Sequence, residues 1–308
     1  MESKPADLSA DVVSELSVVK LRHPWRWIAA SAVSLFAVMV LWSVINNPNF
    51  DWPSVGEYLF RPITLSGVLV TLYLTVISVA IGLVGGVFVA LMRLSDNAIL
   101  VNIAKFYIWL FRGTPVLVQI IFWGYLGALY PSITLGIPFT DVILFDARTS
   151  DVIGPVLAAI LALGLNEVAY AAEIIRGGIL SIDHGQKEAA YSLGIGPAAT
   201  NRRIILPQAM RVIIPPMGNE VITMLKTTAL VSVIAGQDLL SNMQQIYAQN
   251  YKVIPLLLVA TIWYLVLSSV LSVPQQWLEK RYGRGQVVSG NKSVFRRMLL
   301  GGFNRNGN

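Results

Sequence analysis

Cysteine is absent from the 308-residue chain, which excludes a disulfide scaffold and any thiolate metal site. Histidine is scarce as well: His23 and His184 are the whole supply, leaving little for imidazole chemistry, and no cluster of His, Asp or Cys has metal-ligand spacing. No Gly-Lys pair occurs anywhere, so the chain has no G-x-x-x-x-G-K-[ST] loop to cradle a nucleotide's phosphates. Charge is the last shortage. Only 13% of residues are charged against 55% apolar, about half the ~25% of an ordinary soluble domain. A net charge of +6 would suit nucleic acid only if the basic residues formed a patch on a watery surface, whereas here they are separated by long uncharged runs. Neither catalysis nor nucleic-acid binding is expected.

Those runs are what the chain has in abundance. A bilayer core takes ~20 apolar residues as a helix, since hydrocarbon offers the backbone no hydrogen bonds. Trp27 to Ile45 is the first such run, stopped by Asn46-Asn47-Pro48, and the long acid-bearing leader before it argues against a cleaved signal peptide. Arg61 and Arg93 enclose a second, whose Gly82, Gly85 and Gly86 would let a neighbouring backbone come close. Arg112 and Asp141 enclose a third, followed by a Pro- and Asp-bearing external segment, 131 to 151. The fourth runs from about Val152 to Gly178, the fifth from Ala209 to Ala235 and the sixth from Val253 to Trp277. With the N-terminus inside, 19 of the 23 Lys and Arg fall on the cytoplasmic side and only Arg61, Arg148 and Lys252 outside, which places both termini in the cytoplasm.

Between the fourth and fifth runs, residues 181–208 are too patterned for a plain connection. Gln186 to Leu193 is rich in helix formers, Gly194 and Gly196-Pro197 interrupt, and Ala198 to Leu206 supports a second short helix before Pro207 opens the next span. Glu188 beside Ala189 and Ala190 makes a smooth face with one carboxylate, suited to a groove on another protein; an amphipathic loop on lipid headgroups is the plainer reading.

Glu188-Ala189-Ala190, three residues, Gly194, nine residues, then Ile204-x-Leu206-Pro207 resembles the EAA signature of ABC-importer permeases. Phe111 to Gln119 (FRGTPVLVQ) and Ala169 to Ile179 (AYAAEIIRGGI) are similar to the polar amino-acid branch of that family, the histidine, glutamine, glutamate and arginine type. The resemblance implies an all-α polytopic protein of about six transmembrane helices: a type I importer core of five plus one N-terminal helix. The expected divisions are 1–60 (leader, extra helix and linker), 61–280 (permease domain with its coupling loop 181–208) and 281–308 (basic cytoplasmic tail). It further implies a chain in the bacterial inner membrane that binds no cofactor itself. ATP and Mg would sit on partner ATPase subunits that grip Glu188, Ala189, Ala190, Gly194, Ile204, Leu206 and Pro207. A second permease subunit, identical or sister, and an extracytoplasmic solute-binding protein would complete the assembly around an amino-acid substrate. An ion-coupled secondary transporter would account for the spans but has no use for an ATPase-docking loop.

Ionisable residues inside spans cost at least ~2.5 kcal/mol near the centre, so they face cavities or partners. Glu167 lies halfway along the fourth run beside Asn166 and suits an ammonium or cationic side chain, or equally an ion pair locking two helices. Lys226 comes fifteen residues after Arg211, ~22 Å deeper at ~1.5 Å per residue, and serves either a substrate carboxylate or a gating pair. Asn219 and Glu220 follow Pro215-Pro216, where missing N–H groups should kink or unwind the helix and free carbonyls toward a cavity. Glu173, three residues before Arg176, reads as one half of a plain intrahelical pair.

Overall fold

The computed structural model describes residues 24–136 and 143–282. The expected leader before Pro24, Pro138 and Asp141 of the external segment, and the basic tail beyond Tyr282 lie outside the described residues. Contacts divide the chain between Asp51 and Trp52 into two units.

In the first unit, α1 (Pro24–Asn46) has no buried residue. Its 23 residues rise about 35 Å, enough to cross the hydrocarbon core. The Asn46-Asn47-Pro48 stop works as the sequence suggests: Asn47 caps a following turn, its side chain accepting from Asn49 N–H at 3.0 Å.

The second unit opens with α2 (Trp52–Leu59) and the long α3 (Pro62–Arg93). It continues through α4 (Ala98–Gly113), α5 (Val116–Gly124) and α6 (Pro155–Leu180), then the loop helix α7 (His184–Ser192), α8 (Leu206–Thr227), α9 (Leu239–Asn250) and α10 (Val253–Tyr282). At its centre α3 crosses α6 on its glycine face. A Cβ at Gly82, Gly85 or Gly86 would run into Glu167, Val168 or Ala171 respectively, so hydrogen is the side chain that this crossing admits. Leu74, Ile120, Leu163 and Val231 close the core beside it, and Glu173 pairs with Arg176 at 2.7 Å within α6 as its spacing suggests. Gly86→Leu is expected to force the two helices apart at Ala171, an overpacking that costs about 1–3 kcal/mol. A thermal midpoint in detergent equal to wild type would contradict so close a crossing.

The protein is a largely helical, multi-span membrane protein, but several expected elements take another form. Against the expected six or so spans, the described residues hold four helices long and apolar enough to cross (α1, α3, α6 and α10), or five if α4 and α5 count as one broken span. The third run does not cross straight. Its apolar length begins earlier, at Ala98, in a stretch read as a cytoplasmic connection, and bends by 96° at Thr114-Pro115; proline lacks an N–H and pushes the preceding residue out of the helical region, and Thr114 sits at φ −112°, ψ 143°. The fifth run is helical only to Thr227 and continues as a 3-10 helix over Thr228–Ile234. Pro215-Pro216 do not unwind α8, which stays helical through both. Proline's fixed φ is compatible with a helix, and the Gln275 side-chain amide of α10 donates to Pro215 O at 2.7 Å, tying that turn to its neighbour. Lastly, the external segment contains a two-stranded antiparallel hairpin, Ser132–Gly136 with Ile143–Arg148, so the fold is not purely α.

Candidate functional site

Three elements enclose a cavity of about 500 Å³. The first is the elbow between α4 and α5, contributing Arg112 to Val116. The second is α6, through Leu163, Asn166, Glu167 and Tyr170, and the third is α8, through Glu220, Thr223, Met224 and Thr227. Both helices contribute residues at i, i+3, i+4 and i+7, the spacing of one helical face, so each carries a partly polar stripe toward the same space. Polarity on one face of α8 also explains why that helix is too hydrophilic to be counted among the apolar spans.

The acidic and basic groups lining this cavity are unequal in number. Glu167 is only 3% exposed, held against the glycine face of α3, and its Oε1 makes no hydrogen bond to any described residue. A buried carboxylate oxygen without a partner is costly; a cationic ligand would supply what the protein leaves out. Glu220 faces the same space half-buried. Against these two acids stands one cation, Arg112, whose guanidinium lies 4.9 Å from the centroid of the Tyr170 ring, a geometry that fixes a cation without neutralising it. Among the described residues neither Glu167 nor Glu220 forms an ion pair.

Of the residues singled out from the sequence, the structure brings Glu167 and Glu220 together. Asn219 and Lys226 are exposed and stand outside the cavity lining. Arg112, Tyr170 and Thr223 had not been assigned to a pathway, and a signal for them was available: polar residues at helical spacing from the two acids, Tyr170 three residues after Glu167 and Thr223 three after Glu220, and the Thr114-Pro115 break beside Arg112. No group of three His, Asp or Glu able to hold a metal occurs among the described residues.

In the chain between the two cavity-lining helices, α7 is preceded by Asp183, whose side chain accepts from Gly185 N–H at 2.6 Å, an N-cap. It ends in a Schellman motif: Gly194 N–H donates to Tyr191 O at 2.9 Å and Ile195 N–H to Ala190 O at 3.0 Å. Gly194 has φ +74°, a conformation that glycine adopts without strain. Glu188 and Ala189 are exposed, but Ala190 is buried, so the smooth face rests on Ala189 alone. The second short helix is a single turn, Pro197–Thr200, that passes through a π-helical stretch, Asn201–Ile205, directly into α8. Ile204 is half-buried there, while Leu206 and Pro207 are exposed in the first turn of α8.

Residues 82–284 match the family described as binding-protein-dependent transport system inner membrane component. The chain is 44% identical over 266 residues to the arginine transport system permease protein ArgU of Corynebacterium glutamicum, covering 86% of its own length and 82% of the relative's. It is 34% identical over 232 residues to the glutamine transport system permease protein GlnP of Escherichia coli K12, at 75% and 97% coverage. Among solved structures, an amino acid ABC transporter crystallised with histidines superposes at a TM-score of 0.59 with 37% identity, over 71% of this chain and 94% of that one. An inward-facing MetNI methionine ABC transporter shares the fold at a TM-score of 0.54 and 20% identity, over 71% and 96%.

Proposed function

Because the chain belongs to the family of binding-protein-dependent transport system inner membrane components and is the permease of an ABC-type amino-acid importer, we propose that the cavity between the elbow, α6 and α8 is where the amino acid pauses in transit. The observation that carries this is the buried Glu167, its Oε1 without a hydrogen-bond partner, lining the same space as Arg112. Arg112 meets the α-carboxylate, while Glu167 and Glu220 meet the ammonium and whatever positive charge the side chain carries. With two acids against one guanidinium, a cationic amino acid finds a carboxyl group for each of its positive charges, whereas a neutral one leaves one acid without a counter-ion. The relative named as an arginine permease supports that preference.

Residues 61–280 form the permease domain in this reading, and the 181–208 loop docks into a separate ATPase through Glu188, Ala189, Gly194 and the Ile204 to Pro207 turn. A second permease subunit and a solute-binding protein on the outer face complete the importer in the inner membrane. Purified permease co-reconstituted with its ATPase and binding protein tests the reading: L-arginine uptake should need ATP inside the vesicle and exceed uptake of L-citrulline, which has nearly the same shape without the side-chain charge. Uptake driven by a proton or sodium gradient in the absence of ATP would overturn it in favour of a secondary carrier.

The basic-residue asymmetry supports a cytoplasmic position for both termini and the 181–208 loop. The chain has no native thiol, so Lys187→Cys gives a clean probe. It should resist an impermeant maleimide applied to intact cells and react once the membrane is opened; labelling from outside would reverse the topology.

A further inference from the structure

The 96° break between α4 and α5 strips the end of α4 of intrahelical donors, and Pro115 has no N–H to offer. Two side-chain amides take over. Gln119, on α5 and 8% exposed, has its Nε2 at 3.0 Å from Phe111 O, 3.2 Å from Thr114 O and 2.8 Å from Thr114 Oγ1. Asn166, on α6, donates from Nδ2 to Phe111 O at 2.9 Å and reaches Gln119 Oε1 at 3.3 Å. The clasp therefore ties both arms of the elbow to α6, and Arg112 lies between the two residues it grips. Tyr170, on which the Arg112 guanidinium rests, is on that same helix, four residues past Asn166 and so on the same face. Backbone and guanidinium are thus referred to one rigid element.

We infer that Gln119 is a positioning residue for Arg112: by holding the broken backbone against α6 it sets where the α-carboxylate of the transported amino acid is met. This rests on the reading of the cavity given above. Gln119 does not line that cavity, so its influence on a bound amino acid passes through the elbow.

The test uses the purified permease–ATPase complex and two probes, L-arginine and L-argininamide, the second lacking only the carboxylate charge. Gln119→Glu keeps the shape but removes the donors, and Gln119→Met keeps the bulk should the acid fail to assemble. Either should weaken L-arginine binding about tenfold, the scale of one hydrogen bond to a charged group, and leave L-argininamide within about twofold of wild type, as Arg112→Gln should do. Equal weakening of both probes, or assembly of neither variant, would make Gln119 a folding residue and overturn the inference. Selective weakening in Arg112→Gln with none in the Gln119 variants would overturn the clasp and leave the cavity reading standing. No effect of Arg112→Gln on either probe would remove the cavity reading and the clasp with it.

Discussion

Glu188→Lys is expected to abolish ATP-coupled uptake while leaving the permease folded and inserted. Glu188 is exposed on α7, and lysine forms helices about as well as glutamate, so the loop keeps its conformation while the one carboxylate on the docking face becomes a cation. Against the basic groove that the docking proposal calls for, that reversal would convert attraction into repulsion, which costs several kcal/mol at a protein interface. Gly194→Val should act on the same step by another route. No atom lies within 4 Å of the position a Cβ would take, so there is no clash; the φ of +74° is what a β-branched residue resists, at about 1–2 kcal/mol. The Schellman turn that aims α7 would loosen and transport should fall without loss of membrane insertion. Both variants are read by uptake and permease-stimulated ATP hydrolysis in proteoliposomes, with insertion checked by blotting. Wild-type coupling in both would mean that this loop is not the docking element.

Glu167→Gln should erase the preference for L-arginine over L-citrulline. The substitution keeps size and shape but removes the carboxyl group that a cationic side chain would pair with, so the loss falls on the substrate with the extra cation, by about tenfold or more on the scale of a charge-assisted hydrogen bond. Since Oε1 has no partner in the protein, little native bonding is lost and the variant should be at least as stable as wild type. That sign separates the two roles open to an acid at this depth. Were Glu167 a helix lock, the same change would lower the thermal midpoint and reduce both substrates alike.

Much of this architecture was legible from where apolar runs begin and end. Trp27 to Ile45 marks α1, and Val253 to Trp277 marks α10, to within about five residues, because charges and prolines bound them. Gly82, Gly85 and Gly86 announced a close crossing, and α3 meets α6 there. The elbow was harder. Lys105 and Arg112 read as cytoplasmic flanks, so the apolar Ala98 to Phe111 stretch was assigned to a connection, although it forms the first arm of a broken span. Counting charges locates loops only when helices are straight. At Pro215-Pro216 the expected unwinding does not occur; the amide that ties this turn to α10 comes from Gln275, 60 residues away, and tertiary partners are invisible to local rules. The cavity was half visible for the same reason: acids inside a span stand out by their cost, whereas Arg112 at the edge of an apolar run looks like any interfacial arginine until the bend turns it toward Tyr170.

Equilibrium binding of radiolabelled L-arginine to the purified permease–ATPase complex, with the solute-binding protein left out, tests the central claim most directly. The account predicts saturable binding to the permease itself, lost or weakened about tenfold in Glu167→Gln and in Arg112→Gln and retained in Lys226→Gln, whose side chain stands outside the cavity. Binding unchanged in both cavity variants, or lost only with Lys226→Gln, would contradict it and move the path of the amino acid elsewhere in the molecule.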